Sequence, residues 1–326
     1  MTKYLVTGGA GFIGSNIVRK LVQQNKKVCI FVEKNSNLWR LQNIISFIEI
    51  VEIDITNEQQ VFLEIKKIKP NIIFHLAAVG IKPFKIFQKK LFDVNFYGTI
   101  NLLNACKEID LECFVNTGSA VEYGRTDLEL TEDLPVAPTE DYGISKAAGS
   151  LYCLKEATIN NLPIYTARLF CAYGDYEEPH RLIPSILING LKNQTINLSS
   201  PHFVRDFIYI EDIVNFYLTL AHKKPNKNFI FNVGTGIQYS IENIVTEAQK
   251  HFDYKLKIQW NETTPRNWEF KNWKASIDLS KKILDWKPEY SLNDGIKKSF
   301  KWFNKNLNLY DNPNIQLNKN NSRISK

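Results

Sequence analysis

The sequence predicts a doubly wound α/β fold: a parallel sheet with helices on both faces, and a smaller mixed lobe toward the carboxyl terminus. Through the first half of the 326 residues, short β-branched or apolar runs alternate with longer segments of helical periodicity. This is the pattern of strands joined by crossover helices. A glycine-rich turn follows the first run, and after Leu169 the alternation becomes irregular, which predicts the separate lobe.

The predicted strands of the sheet are short apolar runs bounded by turn signals. In chain order they cover residues 4–7, 28–32, 47–53, 71–75, 113–116, 164–169 and 229–233. Two helical segments, around 94–106 and 142–156, carry apolar residues over a broader face than packing on one sheet requires. We therefore expect a homodimer in which these helices of both subunits form a four-helix bundle.

The chain divides into two predicted domains. Residues 1–172 with 206–233 form the nucleotide-binding domain, and residues 173–205 with 234–309 form a smaller substrate-binding lobe. The polar, low-complexity stretch 310–326 is predicted to be a disordered tail.

Composition narrows the functional classes. The formal charge of +7 comes without a run of Lys and Arg interleaved with aromatics, which favours a solvated, mildly basic surface over a nucleic-acid face. An anionic small-molecule substrate fits this charge equally well. The five cysteines show no paired spacing, so neither a metal site nor a disulfide framework is expected. With no signal-like or membrane-spanning run, the expected location is cytoplasmic.

The glycine turn predicts a dinucleotide site. Gly8, Gly11 and Gly14 lie between a predicted strand and a predicted helix, where they permit a tight turn and bring the helix amino terminus to a pyrophosphate. Glu33 ends the second strand and favours NAD, because a carboxylate there binds the ribose hydroxyls and repels a 2′-phosphate. The nearby cations Lys34 and Arg40 keep NADP open. Asp54 is placed to accept from the adenine amino group.

A tyrosine and a lysine are the candidate catalytic pair. Tyr142 and Lys146 stand four residues apart and share one face of a predicted helix. A free phenol has a pKa near ~10 and is a poor base at neutral pH. A neighbouring ammonium, together with a positive nicotinamide ring, would favour the phenolate.

At this point the sequence resembles the extended short-chain dehydrogenase/reductase family, whose members mostly modify nucleotide sugars on a Rossmann fold. The resemblance covers nearly the whole chain. It rests on the segments TGGAGFIG, HLAA, TGSAVEYG, YGISK, RLFCAYG, RDFIYIEDI and NVGTG.

The resemblance implies a role for each matching residue. Tyr142 would be the general base or acid on a sugar hydroxyl or ketone, Lys146 would hold the nicotinamide ribose, and Ser119 would hydrogen-bond the same sugar oxygen. The residues implied to bind the cofactor, besides those already named, are Phe12, Ile13, Ile55, Leu76, Ala77, Ala78, Asn95 and Thr117.

On the substrate side, the resemblance implies that Arg205 and Arg266 clamp the sugar-nucleotide diphosphate, with Arg181 and Leu182 bordering the nucleotide pocket. Guanidinium groups suit this task because they form bidentate charge-assisted bonds. One position departs from the family: Cys171 stands where an asparagine commonly contacts the substrate. This weakens any transfer of base or sugar specificity.

The resemblance implies a reaction that begins by oxidising C4 of the sugar to a ketone. Members that continue to 4,6-dehydration use an acidic pair just after the catalytic hydroxyl. Here those positions are Ala120 and Val121, and Glu122 comes one residue too late. In an extended segment that slip points Glu122 to the opposite side, so a dehydratase is not favoured.

The reactions that remain are a 4-epimerase, a 4-dehydrogenase, with GDP-heptose 4-dehydrogenase as one specific case, and an NADP-dependent 4-ketoreductase. The Asn-, Lys- and Ile-rich composition suggests an AT-rich genome and a role in capsule or other surface polysaccharide biosynthesis. A different class is a non-catalytic nucleotide-sensing or RNA-binding relative. The Tyr142–Lys146 pair and the lack of a basic stripe argue against it.

Overall fold

The computed structural model describes residues 2–80, 88–227, 230–261 and 272–311. The strands are β1 Lys3–Thr7, β2 Lys27–Val32, β3 Glu49–Glu52, β4 Ile72–His75, β5 Cys113–Ser119, β6 Ile164–Leu169, β7 Cys171–Tyr173, β8 Ile196–Asn197, β9 Val204–Tyr209, β10 Ile230–Val233, β11 Gln238–Ser240 and β12 Ile258–Gln259.

The α-helices are α1 Phe12–Gln23, α2 Glu58–Ile68, α3 Gln88–Phe92, α4 Gly98–Cys106, α5 Asp141–Asn160, α6 Leu182–Leu191, α7 Ile210–Lys223, α8 Ile241–Gln249, α9 Asp278–Leu284 and α10 Leu292–Lys305. A π-helical turn, Asp93–Tyr97, joins α3 to α4. The 3-10 helices are Trp39–Phe47, Ala120–Tyr123 and Leu307–Tyr310.

The main sheet has seven strands in the order β10-β6-β5-β4-β1-β2-β3, and all its pairs are parallel. The chain order reverses between β1 and β4, and in such sheets ligands bind at the carboxyl ends of the strands beside this point. The doubly wound fold is therefore confirmed. A smaller mixed sheet, β11-β9-β7, and a strand pair, β12-β8, complete it.

Helices cover both faces of the sheet because its strands are apolar on both sides. Leu5 and Ile73 belong to one buried cluster, with side chains of α2, α4 and α5. Their chain neighbours Val6 and Phe74 belong to the other cluster, with α1 and α7, and that cluster continues into the carboxyl-terminal lobe.

Several predicted boundaries move. Phe47 ends a 3-10 helix and is 68% exposed, so the third strand begins later than predicted. The fifth strand runs on to Ser119, and the predicted domain boundary at 205/206 falls inside β9. Tyr310, assigned to the tail, is buried and donates a hydrogen bond to the Glu177 carbonyl at 2.9 Å. The rest of the tail, from residue 312, lies outside the described residues.

Within the described ranges, no helix combines the length and apolar character needed to cross a bilayer. The same residues contain no group of three or more His, Cys, Asp or Glu side chains arranged to hold a metal ion.

Candidate active site

The glycine turn joins β1 to α1 at the centre of the sheet. Gly8 has φ +66°, a backbone conformation that favours glycine, and a Cβ there would lie 2.7 Å from the Ala77 nitrogen. A Cβ on Gly14 would overlap the Gly8 carbonyl. Gly11 is the N-cap of α1 and provides no capping side chain, and the first turn of the helix carries no acid. Its free amides and positive dipole end suit a pyrophosphate.

A cavity of about 560 Å³ opens beside this turn, over the carboxyl ends of β1 to β4. Most of the predicted cofactor residues line it: Gly8, Gly11, Glu33, Asp54, Ile55, Leu76, Ala77 and Ala78. Phe12, Ile13 and Gly14 form the first turn of α1 next to it. The volume, the glycine cradle and the two carboxylates fit an adenine dinucleotide.

The charged groups around the adenosine end of the cavity differ in how far the protein itself already engages them. The Glu33 side chain is 73% exposed and lies 3.4 Å from Lys90. The Asp54 carboxylate already accepts hydrogen bonds from the Thr56 backbone and hydroxyl, at 2.9 and 2.8 Å. Arg40 is buried; it donates to the Tyr176 carbonyl at 2.7 Å and pairs with Glu178 at 2.9 Å. Arg40 is thus committed to the protein, which weakens the case for NADP.

The candidate catalytic residues converge at the carboxyl end of β5. Ser119 is the last residue of that strand, while Tyr142 and Lys146 lie on the first turns of α5. The Ser119 side chain lies close enough to the half-buried Tyr142 side chain to lower its pKa, and Lys146 is only 6% exposed. The structure therefore brings the predicted serine, tyrosine and lysine to one place.

The electrostatics of Tyr142 differ from the sequence-based expectation. Burial, and then the Glu122 charge, raise the pKa of Tyr142, while the Arg181 charge and the Ser119 hydrogen bond lower it. Burial lowers the pKa of Lys146, and the Glu122 charge opposes that effect. In the protein alone, the cation that most favours the phenolate is therefore Arg181 rather than Lys146.

Asn95 connects the cavity at the glycine turn to α5, the helix of the candidate catalytic tyrosine and lysine. It lies in the π-helical turn, and its Oδ1 accepts from the Val79 backbone at 2.8 Å. Its Nδ2 donates to the Val79 carbonyl and to the Ser145 hydroxyl, both at 3.0 Å. Ser145 in turn donates to the Tyr142 carbonyl at 2.8 Å. Asn95 thus lies beside the cavity wall and also fixes the start of α5.

A second buried network at this edge was not predicted. Thr7 Oγ1 lies 2.7 Å from His75 Nδ1, and His75 Nε2 lies 2.9 Å from Thr99 Oγ1. Thr7 also accepts from the Ala77 backbone at 3.2 Å. Burial, and then the Lys146 charge, lower the pKa of His75 to about 3, so its ring is neutral. Thr7 and His75 are paired across β1 and β4, so a prediction of the strand register would have placed these two side chains together.

The substrate side is partly assembled. Arg181 is the N-cap of α6, which Leu182 begins, and it lies 3.6 Å from the Glu177 carboxylate. Buried Arg205, on β9, lies over the Trp273 ring at 5.6 Å. Both guanidinium charges act on Cys171, and Arg181 also interacts with Tyr142. Cys171 is therefore near both predicted arginines, and Arg181 connects it to Tyr142.

Two predicted residues stand apart from this arrangement. Arg266 lies outside the described residues. Thr117, predicted to contact the cofactor, has its hydroxyl 2.6 Å from the Tyr217 hydroxyl of α7.

Comparison with known proteins identifies the family. The model of the NAD dependent epimerase/dehydratase family matches residues 4–234. The chain belongs to this family. Its membership confirms the resemblance to extended short-chain dehydrogenases/reductases, and it confirms NAD as the cofactor.

Named relatives of this family catalyse more than one reaction. The chain is 31% identical to a putative UDP-glucose 4-epimerase of Methanocaldococcus jannaschii, over 93% of this chain and 98% of that protein. It is 28% identical to human dTDP-D-glucose 4,6-dehydratase, over 95% and 92% of the two chains. The UDP-glucuronic acid 4-epimerase structure from Bacillus cereus, with UDP-glucuronic acid and NAD, superimposes with a TM-score of 0.83 at 25% identity, covering 93% of this chain and 99% of that one.

The positions at which the resemblance implies the acidic pair of a dehydratase lie in a 3-10 helix. Residues Ala120–Tyr123 form this helix, so the expectation of an extended segment is wrong, and the alternation argument for Glu122 fails with it. The reason is a capping box, in which Ser119 caps the helix and Glu122 bonds back to the Ser119 backbone. The spacing Ser-x-x-Glu in the sequence was the available signal. Ala120 and Val121 still offer no acid.

Proposed function

We propose that this family member oxidises C4 of a nucleotide-diphosphate sugar to a ketone and reduces it again, as a 4-epimerase. The observation that carries the proposal is the convergence of Ser119, Tyr142 and Lys146 beside the cavity at the glycine turn, with Ser119 close enough to Tyr142 to act on its pKa. A 4-dehydrogenase, which stops after one hydride transfer, would use the same three residues.

In this mechanism the protein's own task is to move one proton and hold one oxygen. Tyr142 takes the proton of the C4 hydroxyl during oxidation and returns it during reduction. Ser119 donates a hydrogen bond to the same sugar oxygen, while Lys146 and Arg181 keep positive charge near the developing phenolate. Bound at the glycine turn, NAD would supply reversible hydride chemistry at C4.

Arginines are proposed to hold the diphosphate. Arg181 acts on Tyr142 and Cys171, Arg205 acts on Cys171, and a guanidinium can bind two phosphate oxygens at once. The role of Arg266 stays a prediction from the resemblance. Inversion at C4 requires the keto sugar to present its other face to the cofactor, and holding the substrate by its diphosphate leaves the sugar ring free to turn.

Dehydration is not favoured, although one named relative is a 4,6-dehydratase. The two residues that follow Ser119 are alanine and valine, and neither can take the C5 proton or help the C6 hydroxyl to leave. The nearby acid, Glu122, is fully buried and paired with Arg168 at 2.9 Å. Its carboxylate is therefore committed to the protein interior.

We also propose that the protein is a homodimer through α4 and α5. Large apolar side chains of these segments are exposed in the single chain: Tyr97, just before α4, is 55% exposed, and Leu151 and Leu154 of α5 are 50% and 38% exposed. Burying them against the same face of a second copy would form the four-helix bundle expected from the sequence. Light scattering at micromolar concentration tests this, and a monomeric mass would contradict it.

A cytoplasmic role in surface polysaccharide synthesis is proposed from composition alone.

The function is tested by offering the purified protein a panel of UDP-, GDP-, CDP- and dTDP-sugars, GDP-heptose included. Native mass spectrometry identifies the sugar that binds, and NMR identifies the product. An inverted C4 without net redox change supports the 4-epimerase, while reduced cofactor and a 4-keto product would instead show the 4-dehydrogenase. Binding without turnover would contradict both and favour a nucleotide-sensing protein.

A further inference from the structure

Glu122 is a carboxylate held wholly inside the protein, directly behind Ser119. Its side chain has no exposed surface, and Arg168 beside it is 2% exposed. Glu122 Oε1 accepts from the Ser119 backbone at 2.8 Å and from the Ser150 hydroxyl at 2.9 Å. Oε2 accepts from Arg168 Nε at 2.9 Å. A buried charge is tolerated when it is paired and hydrogen-bonded in this way.

These bonds join three separate elements of the site. Ser119 ends β5 and carries the hydroxyl that acts on Tyr142. Ser150 is on α5, the helix that also carries Tyr142 and Lys146, and Arg168 is on β6. One carboxylate therefore fixes the catalytic serine relative to the helix of the catalytic tyrosine and lysine.

The surroundings allow little movement of this carboxylate. A Cβ on Gly118 would lie 2.7 Å from Glu122 Oε1, so the glycine leaves room for the acid. The Arg168 guanidinium lies 4.6 Å from the Tyr123 ring centroid, and Tyr123 donates to Asn232 at 2.7 Å. The pair is thus packed in place from the sheet side.

Glu122 also determines part of the local charge. Its negative charge acts on both Tyr142 and Lys146, and it raises the pKa of each. Other charged or titratable groups also act on Glu122, Tyr142 and Lys146. Arg181 acts on Tyr142, and Arg168 acts on Glu122. Cys153 and His75 interact with Lys146.

We propose that Glu122 is a positioning residue for hydride transfer at C4: it holds Ser119 against α5 and supplies the negative charge that balances Lys146. Glu122 acts through these residues and does not touch the substrate. The inference rests on the proposed function, because it requires Tyr142 to exchange a proton with the sugar.

The test removes the charge and keeps the shape. In Glu122→Gln we expect kcat to fall on the order of tenfold or more, because small displacements of reacting groups are costly. We also expect the acid limb of the kcat/KM profile for C4 oxidation to move to lower pH, because the charge that raises the pKa of Tyr142 is gone. UDP-glucose is the first probe, followed by any panel sugar that the wild type turns over.

A matched control and a second variant separate charge from packing. Glu156→Gln removes another fully buried carboxylate of α5, one paired with Lys107 and Lys155, and it should keep the wild-type pH limb. The double variant Glu122→Leu/Arg168→Met replaces the ion pair with apolar side chains, and it tests the same point if Glu122→Gln does not fold. We expect this double variant to fold and to show an acid limb of kcat/KM that lies at lower pH than in the wild type.

A substrate-free measurement completes the test. The tyrosinate absorbance of each protein, minus that of its Tyr142→Phe version, titrates Tyr142 directly, and its midpoint should be lower in both Glu122 variants. Unchanged midpoints and pH limbs in both variants would overturn the inference, provided that Tyr142→Phe is inactive. An active Tyr142→Phe protein would instead overturn the proposed function itself.

Discussion

The side-chain amide of Asn95 donates to the Ser145 hydroxyl at 3.0 Å, and the same amide group exchanges two further hydrogen bonds with the Val79 backbone. The wall of the NAD cavity and the first turn of the catalytic helix are therefore held by one side chain, which is 2% exposed.

Asn95→Ala should impair both cofactor binding and chemistry. It removes the partners of the half-buried Val79 N–H and carbonyl, and each of these groups that water does not reach costs about 1–3 kcal/mol. Ser145→Ala cuts only the link to α5, so it should lower kcat while the affinity for NAD is kept. Fluorescence titration with NAD and steady-state kinetics measure the two effects. Equal NAD affinity in Asn95→Ala and the wild type would contradict the assignment.

Gly8→Ala should abolish NAD binding. Alanine is strained at φ +66°, and its Cβ would lie 2.7 Å from the Ala77 nitrogen in the cavity wall. Gly80→Ala is the matched control, because a Cβ there meets no atom of the described residues within 4 Å. Calorimetric titration with NAD compares the two variants, and tight binding by Gly8→Ala would refute this account of the turn.

Glu33→Ser should relax the preference for NAD over NADP. The substitution removes the carboxylate that lines the cavity and would repel a 2′-phosphate, while Lys90 remains 3.4 Å from its former position. Arg40→Ala should leave the preference unchanged, because Arg40 is bonded to Tyr176 and Glu178. The ratio of the dissociation constants for NAD and NADP measures this preference in the wild type and in each variant.

The two directions of C4 chemistry should respond oppositely to pH. Oxidation needs Tyr142 as phenolate, and its pKa is raised by burial and by Glu122, so kcat/KM for oxidation should rise with pH above neutrality. Reduction of a 4-keto sugar needs the protonated phenol, so its rate should fall as the phenolate forms. Single-turnover formation and consumption of reduced cofactor measure both limbs. If the rates of oxidation and of reduction both rose with pH, Tyr142 would be excluded as the titrating group.

His75 should make the protein less stable in acid. Its pKa is about 3 in the folded protein because of burial and Lys146, against ~6.5 when unfolded, so below pH 6.5 only the unfolded chain takes up the proton. The free energy of unfolding should fall by up to about 1.4 kcal/mol per pH unit between these values. Urea unfolding of His75→Gln should show a weaker slope, while the exposed His222→Gln should match the wild type.

The seven strands of the sheet and the serine, tyrosine and lysine could be predicted because they depend on local pattern. β-branched runs such as β6 carry their own signal, and a glycine turn between a strand and a helix has few other uses. Strands β7 and β9 were missed, because their pairing joins residues far apart in the chain.

Side-chain partners were the least predictable part. Arg40 was expected near the cofactor, yet its charge is neutralised by Glu178, 138 residues away in the sequence. The Glu122–Arg168 pair joins the 3-10 helix after β5 to the neighbouring strand β6, and no local propensity encodes it. The 3-10 helix after Ser119 had a readable capping signal, but the preceding strand pattern masked it.

The account depends most on Tyr142 exchanging a proton with the C4 hydroxyl. Its most direct test is an NMR time course of C4 inversion, run with UDP-glucose and then with each panel sugar that binds, on the wild type and on Tyr142→Phe. We predict inversion by the wild type and, in a variant that still folds and binds NAD, a loss of rate of at least about 10²-fold. Full turnover by Tyr142→Phe would contradict the account.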